Sequence, residues 1–169
     1  LHRDLKPSNI GFTSDGMPKV LDFGLSRLGA GATDGHPMFG SHADGVSTES
    51  RVESDVTSLA GTPAYMSPEL VAGRAPAPTD DLWALAVVMV EALQGRHPWA
   101  KLMVDDVLRK LRVQEAPDVE LGELAARELR ILLVRALAPA AEIRPQTAEQ
   151  FARELAELDR LQLRSLPNT

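Results

Sequence analysis

The chain has 169 residues, with 18 Lys and Arg against 24 Asp and Glu, a formal charge of −6. A hydrophobic fraction of 44% with 25% charged residues is ordinary for a globular chain and excludes a wholly disordered protein, a collagen and a coiled-coil rod. The acidic balance argues against a nucleic-acid partner, and the absence of cysteine excludes disulfides, thiolate metal sites and thiol nucleophiles and suits a reducing, cytoplasmic compartment.

In chain order, Ile10–Thr13, the turn Ser14–Pro18 and Lys19–Phe23 read as a β hairpin, because Asp15-Gly16 lies between two β-type runs. Residues 29–60 carry five glycines among Ser, Thr, Asp and Glu, with no helical or alternating period, and predict a long mobile loop. His36 and His42, near Asp34 and Asp44, read there as solvated loop residues rather than a metal cluster.

The remainder reads as helical. A short helix is expected over Ser67–Ala72. A second runs through Leu93, with Thr79 or Asp80 as N-cap and Gly95 as terminator. It is apolar on every face, which predicts a buried central helix. Its apolar run, Leu82–Val90, is nine residues, against the roughly 20 that a bilayer span needs, so no membrane segment is expected. Further helices are expected over Leu102–Val113, Leu121–Ala138 (closed by Pro139) and Thr147–Leu163.

The sharpest signal is His2-Arg3-Asp4-Leu5-Lys6-Pro7-Ser8-Asn9. Its five fixed positions, H-R-D-L-x-x-x-N, would arise by chance about once in three million start sites. Asp22-Phe23-Gly24 follows one strand–turn–strand later. The two together resemble the catalytic loop and metal-binding turn of the eukaryotic-like Ser/Thr protein kinases. The resemblance continues through Gly61-Thr62-Pro63-Ala64-Tyr65-Met66-Ser67-Pro68-Glu69, with Ser67 in place of Ala in the A-P-E motif. It extends to Asp81-Leu82-Trp83-Ala84-Leu85-Ala86, Gly95-Arg96-His97-Pro98-Trp99 and Arg144-Pro145.

The resemblance implies an α+β, mostly helical kinase C-lobe with a small β hairpin. It spans residues 1–166, with the catalytic loop at 2–9, DFG at 22–24, activation segment at 22–69, helical lobe at 67–164 and a tail at 167–169. The implied reaction moves the γ-phosphoryl of Mg-ATP to a Ser or Thr hydroxyl of a protein substrate. Asp4 matches the base, Lys6 the cation beside the phosphate, and Thr62 a hydrogen-bonding neighbour of both. Asn9 and Asp22 offer hard oxygens to Mg2+. Lys6, Asn9 and Asp22 are thereby the implied ATP and cofactor contacts. Arg3 corresponds to the arginine that receives a phosphorylated residue, with Thr57 and Ser58 the best-placed acceptors, ahead of Ser47, Thr48, Ser50 and Ser54. His2, Gly24, Glu69, Asp81 and Arg144 are implied structural residues. His2 packs beneath the DFG turn, Gly24 lets it swing, Asp81 anchors the catalytic loop, and Glu69 pairs with Arg144. His97 reads as structural.

These residues contain neither G-x-G-x-x-G nor a V-A-I-K lysine. The expectation is therefore an incomplete kinase domain that by itself neither binds ATP tightly nor phosphorylates protein. The alternative is a kinase-derived, non-catalytic interaction module. A membrane-bound parent is compatible with either.

Overall fold

The computed structural model describes residues 1–23, 62–121 and 127–165. Gly24, Thr57, Ser58 and the other phosphoacceptor positions proposed within 24–61 lie outside the described residues, as do the loop expected there and residues 166–169. Strands β1 (Ile10–Phe12) and β2 (Pro18–Val20) pair antiparallel, Ile10 opposite Val20 and Phe12 opposite Pro18. The turn closes because the Thr13 hydroxyl accepts the Met17 amide at 3.0 Å while the Thr13 amide donates to the Met17 carbonyl at 2.9 Å. Gly16 sits at φ 83°, a conformation that costs other residues a Cβ clash.

Among the described residues five α-helices follow: α1 (Pro68–Val71), α2 (Pro78–Gln94), α3 (Val104–Arg112), α4 (Arg127–Ala136) and α5 (Ala148–Ser165). Short 3-10 turns occupy Pro7–Asn9, Thr62–Tyr65 and Ala141–Ile143. The start of α2 differs from the expected cap at Thr79 or Asp80. Ala77 is the N-cap and Pro78 opens the helix, where its missing N–H costs nothing. Asp80, three residues on, accepts the Ala77 amide at 2.6 Å. α3 also begins later than Leu102, and α5 continues two residues past Leu163. Residues 122–126, in the first part of the helix expected from Leu121, lie outside the described residues. Gly95, at φ 70°, ends α2 as expected.

α2 is the axis of the core. Trp83, Ala86, Val87 and Val90 are enclosed by Trp99, by Val107 and Leu111 of α3, by Leu132, Leu133 and Ala136 of α4, and by Phe151 of α5. Each large apolar side chain buried this way contributes about 1.5–3 kcal/mol. The helix is not buried on every face: Leu93 is 47% exposed and Ala92 is exposed, so its last turn reaches solvent. Among the described residues no helix is long and apolar enough to cross a membrane.

Candidate active site

The N-terminal segment is bound to the first turn of α2. Asp81 accepts the His2 amide at 2.7 Å with one carboxylate oxygen and the Arg3 amide at 2.8 Å with the other. Two consecutive amides can meet one carboxylate only if the backbone turns sharply, and Arg3 stands at φ 72°. That left-handed conformation costs roughly 1–2 kcal/mol, which charge-assisted hydrogen bonds to Asp81 can offset. His2 is buried. Its Nε2 lies 2.9 Å from the Leu21 carbonyl and its ring meets Phe23 edge-on at 4.8 Å. The imidazole thus joins the loop to the end of the hairpin.

Beyond Arg3 the chain brings three polar side chains together. The Asn9 amide nitrogen donates to the Asp4 backbone carbonyl at 2.8 Å and to Asp4 Oδ2 at 3.0 Å. Both partners are acceptors, so the NH2 edge of Asn9 must face them, which leaves its carbonyl oxygen free of that contact. Lys6 Nζ lies 2.8 Å from the same Asp4 oxygen. Asn9 is 7% exposed and sits on the 3-10 turn started by Pro7, so its amide is held in place rather than swinging in solvent.

Asp22 reaches this neighbourhood through the backbone. The Leu21 amide donates to the Asn9 carbonyl at 2.8 Å, which fixes the residue just before Asp22 against the loop. Asp22 itself stands at φ 56°. Two non-glycine residues in left-handed backbone, Arg3 and Asp22, flank the cluster; strain of this kind concentrates at functional sites. Facing the loop is the turn Thr62–Tyr65, followed by α1. A cleft runs between Arg3, Asp4 and Leu5 on one side and Tyr65, Met66 and Leu70 on the other, floored by Asp80, Asp81 and Ala84. Thr62 is the first residue of that turn, and its side chain lies outside the described residues.

The wall on the Tyr65 side is tied down by two groups of contacts. Arg144, fully buried, donates to both oxygens of Glu69 at 2.8 and 3.1 Å and to the carbonyls of Ala138 and Pro139. Its guanidinium lies over the Trp83 ring, 4.6 Å from the centroid. Burial would raise the Glu69 carboxyl, but hydrogen bonds and charge from Arg144 hold it below the ordinary carboxylate range. Ser67, also fully buried, accepts the Leu70 amide as the α1 N-cap and donates to Asp80.

Two groups escape the sequence reading. Tyr65 donates to Glu91 at 2.7 Å, 26 residues away, and His97 stands edge-on to Tyr65 with ring centroids 5.0 Å apart. No spacing rule links these positions; only the packing of α2 against the Thr62–Tyr65 turn does. Ser67 read as a small replacement for Ala, whereas its hydroxyl has two partners. An S-P-E run in front of a helix is an N-cap signal that could have been used.

A catalytic-type carboxylate held by an amide and a lysine, opposite a turn anchored by a Glu–Arg pair, defines the class to which comparison with known proteins also leads. The family model for the protein kinase domain matches residues 1–157. The chain belongs to the protein kinase family, of the Ser/Thr type. It is 30% identical over 163 residues to the serine/threonine-protein kinase PknK of Mycobacterium tuberculosis, covering 95% of this chain and 13% of that protein. It is 33% identical over 152 residues to PkwA of Thermomonospora curvata, named a probable serine/threonine-protein kinase, covering 90% and 17%. To the G2-specific protein kinase nimA of Emericella nidulans it is 34% identical over 148 residues, covering 88% and 18%. The chain thus spans less than a fifth of the length of each of these relatives.

Proposed function

We propose that this chain is the catalytic-loop-to-C-terminus portion of a Ser/Thr protein kinase domain, acting within a longer protein to transfer the γ-phosphoryl of Mg-ATP to a protein Ser or Thr hydroxyl. The observation that carries the reading is the Asp4–Asn9–Lys6 contact set beside the cleft. Phosphoryl transfer demands positioning and charge compensation more than covalent chemistry. Asp4 is placed to orient the incoming hydroxyl and take its proton. Lys6, on the same oxygen, supplies positive charge where the phosphoryl group would arrive.

The donor set fits a hard divalent cation. Magnesium is usually held by one or two protein oxygens, with phosphates and water completing its shell. The turned amide of Asn9 presents a carbonyl oxygen and Asp22 a carboxylate. When bound, the ion would neutralise charge on the phosphates. The chain's own part is to fix the Asn9 amide through Asp4 and to hold Asp22 through the Leu21–Asn9 backbone bond.

The wall formed by Thr62–Tyr65 and α1 is the substrate side, and residues 22–69 form the activation segment. Arg3 is its phosphate receiver. Among the described residues its buried Nε has no hydrogen-bond partner, which leaves that donor to an incoming anion. Phosphorylation at Thr57 or Ser58 switches the enzyme on; phosphopeptide maps of active protein should show one of them modified. The site works on the cytoplasmic side, where ATP and reduced conditions are found.

The deciding experiment measures γ-phosphoryl transfer by the full-length protein and its Asp4→Asn form. Loss of a positioned base lowers the rate by about 10²–10⁴-fold. Equal transfer by the two forms would reject the assignment and favour a non-catalytic interaction module.

A further inference from the structure

His97 is 7% exposed and lies in the turn between α2 and α3. Its Nδ1 accepts the Trp99 backbone amide at 3.1 Å, so that nitrogen carries a lone pair and no proton. Its ring backs Tyr65, whose hydroxyl donates to Glu91 on α2. Tyr65 belongs to the turn opposite the catalytic loop. One imidazole thereby touches both a buried backbone donor and the side chain that fixes this wall of the cleft.

The surrounding charges leave Glu91 as the ionisable carboxylate acting on the ring. Beside His97, Arg96 pairs with Glu120; on α3, Asp106 pairs with Arg109 and Lys110 with Glu115, and Asp105 is exposed. Tyr65 stays a neutral donor, since burial and then the Glu91 bond push its hydroxyl far above the ordinary range.

Adding a proton at Nδ1 changes these contacts. The imidazolium can no longer accept from the Trp99 amide, and its charge is drawn to Glu91, the acceptor that holds Tyr65. We propose that His97 is a positioning residue acting as a proton-operated latch: neutral, it fixes Tyr65 and the substrate-side turn; protonated, it releases the Trp99 amide and competes for Glu91. The substrate-side label rests on the kinase reading above; the latch itself does not.

The direction follows from burial, which lowers His97 from the ordinary 6.5, with Glu91 and the Ala64 backbone pulling back. A base whose folded value is depressed leaves stability complete above 6.5 and draws it down as the pH falls from there through the folded value.

Tyr65 is the chain's single tyrosine, so selective labelling yields one ring signal to follow by NMR from pH 8 to 5. In the 169-residue chain, the Tyr65 signal and one imidazole signal should shift with a shared midpoint below 6.5. His97→Asn keeps an acceptor for the Trp99 amide and does not titrate, so its Tyr65 signal should stay still. Glu91→Gln should leave His97 titrating, with a lower midpoint. Should His97→Asn not fold, as judged by circular dichroism, His97→Gln takes its place. A Tyr65 signal that never moves, or moves alike in wild type and variant, overturns the latch. In the full-length protein, KM for a peptide substrate should rise several-fold below the same midpoint, with kcat nearly constant. A KM that ignores this step overturns the positioning role. The NMR arm needs no catalysis, so failure of the Asp4→Asn test and failure of the latch are distinguishable.

Discussion

Trp83, Ala86 and Val90 on α2 are sealed from solvent, whereas Phe12, Met17 and Phe23 on and beside the hairpin are 72%, 57% and 58% exposed. The helical body is held by apolar burial around α2. The edge that carries the candidate site is held by polar contacts that include Asp81 to two amides, His2 to Leu21, and Asn9 to Asp4. The difference teaches where precision comes from. Burial is non-directional and tolerates small shifts, while hydrogen bonds to one carboxylate fix a loop within a narrow range of geometries. The site residues sit on the edge, but the group that aims them, Asp81, projects from the body.

The comparison breaks most visibly at Glu69. Glu69→Ala leaves Arg144 charged and fully buried, with two carbonyls and the Trp83 face as its remaining partners. Removing one partner of a buried pair costs about 3–5 kcal/mol, so urea denaturation of the whole body should shift by that amount. Acid should act on the same bond. Because the folded Glu69 value is depressed, its contribution is full above the ordinary value of 4.5 and is lost as the pH falls through the folded value. Wild type should therefore lose stability below about pH 4.5, and Glu69→Ala should lose less.

Asp81→Ala should act on the edge alone. It leaves the His2 and Arg3 amides without their acceptor and removes what holds Arg3 at φ 72°. The local cost is about 2–3 kcal/mol. Hydrogen exchange should accelerate at His2 and Arg3, by about 30- to 150-fold at that cost, while amides in the α2 core keep their protection. Global loosening would show that edge and body are one cooperative unit. Ser67→Ala should cost less, about 1–2 kcal/mol, from the lost α1 cap and the Asp80 partner. It should be read as a drop in the urea midpoint with an unchanged slope.

The sequence made the edge legible because its chemistry is local. Asp4, Lys6 and Asn9 lie within six residues, and the Asp15-Gly16 turn announces the hairpin that carries Asp22. The helices were visible through their apolar spacing and breakers, including Gly95 and Pro139, whereas the N-cap of α2 was not. Contacts between distant segments depend on tertiary packing: Tyr65 meets Glu91, and His97 stands edge-on to Tyr65, through the seating of the turn on α2. The Glu69–Arg144 relation came from resemblance, since no periodicity connects positions 75 apart. Arg3 gives no hint of left-handed backbone, because arginine ordinarily avoids it; Asp22 is of a type that tolerates it, but nothing in its neighbours marks the position.

Gln114 provides the smallest test and has the opposite sign. It stands at φ 57° just past α3, with its amide on the Leu111 carbonyl at 3.0 Å and the Glu115 amide on Lys110 at 2.9 Å. That is a Schellman ending, in which glycine is the favoured residue. Gln114 is exposed and far in sequence from the candidate-site edge, so Gln114→Gly relieves the Cβ clash without removing a buried contact. Relief of up to about 1–2 kcal/mol is reduced by the extra freedom glycine gives the unfolded chain, leaving a net gain of about 0.5–1 kcal/mol. Thermal unfolding should rise by a few degrees while amide exchange at His2 and Arg3 stays as in wild type. If their exchange slows as well, the stability of the body reaches the edge through more than Asp81, and the division between a packed body and a hydrogen-bonded edge fails.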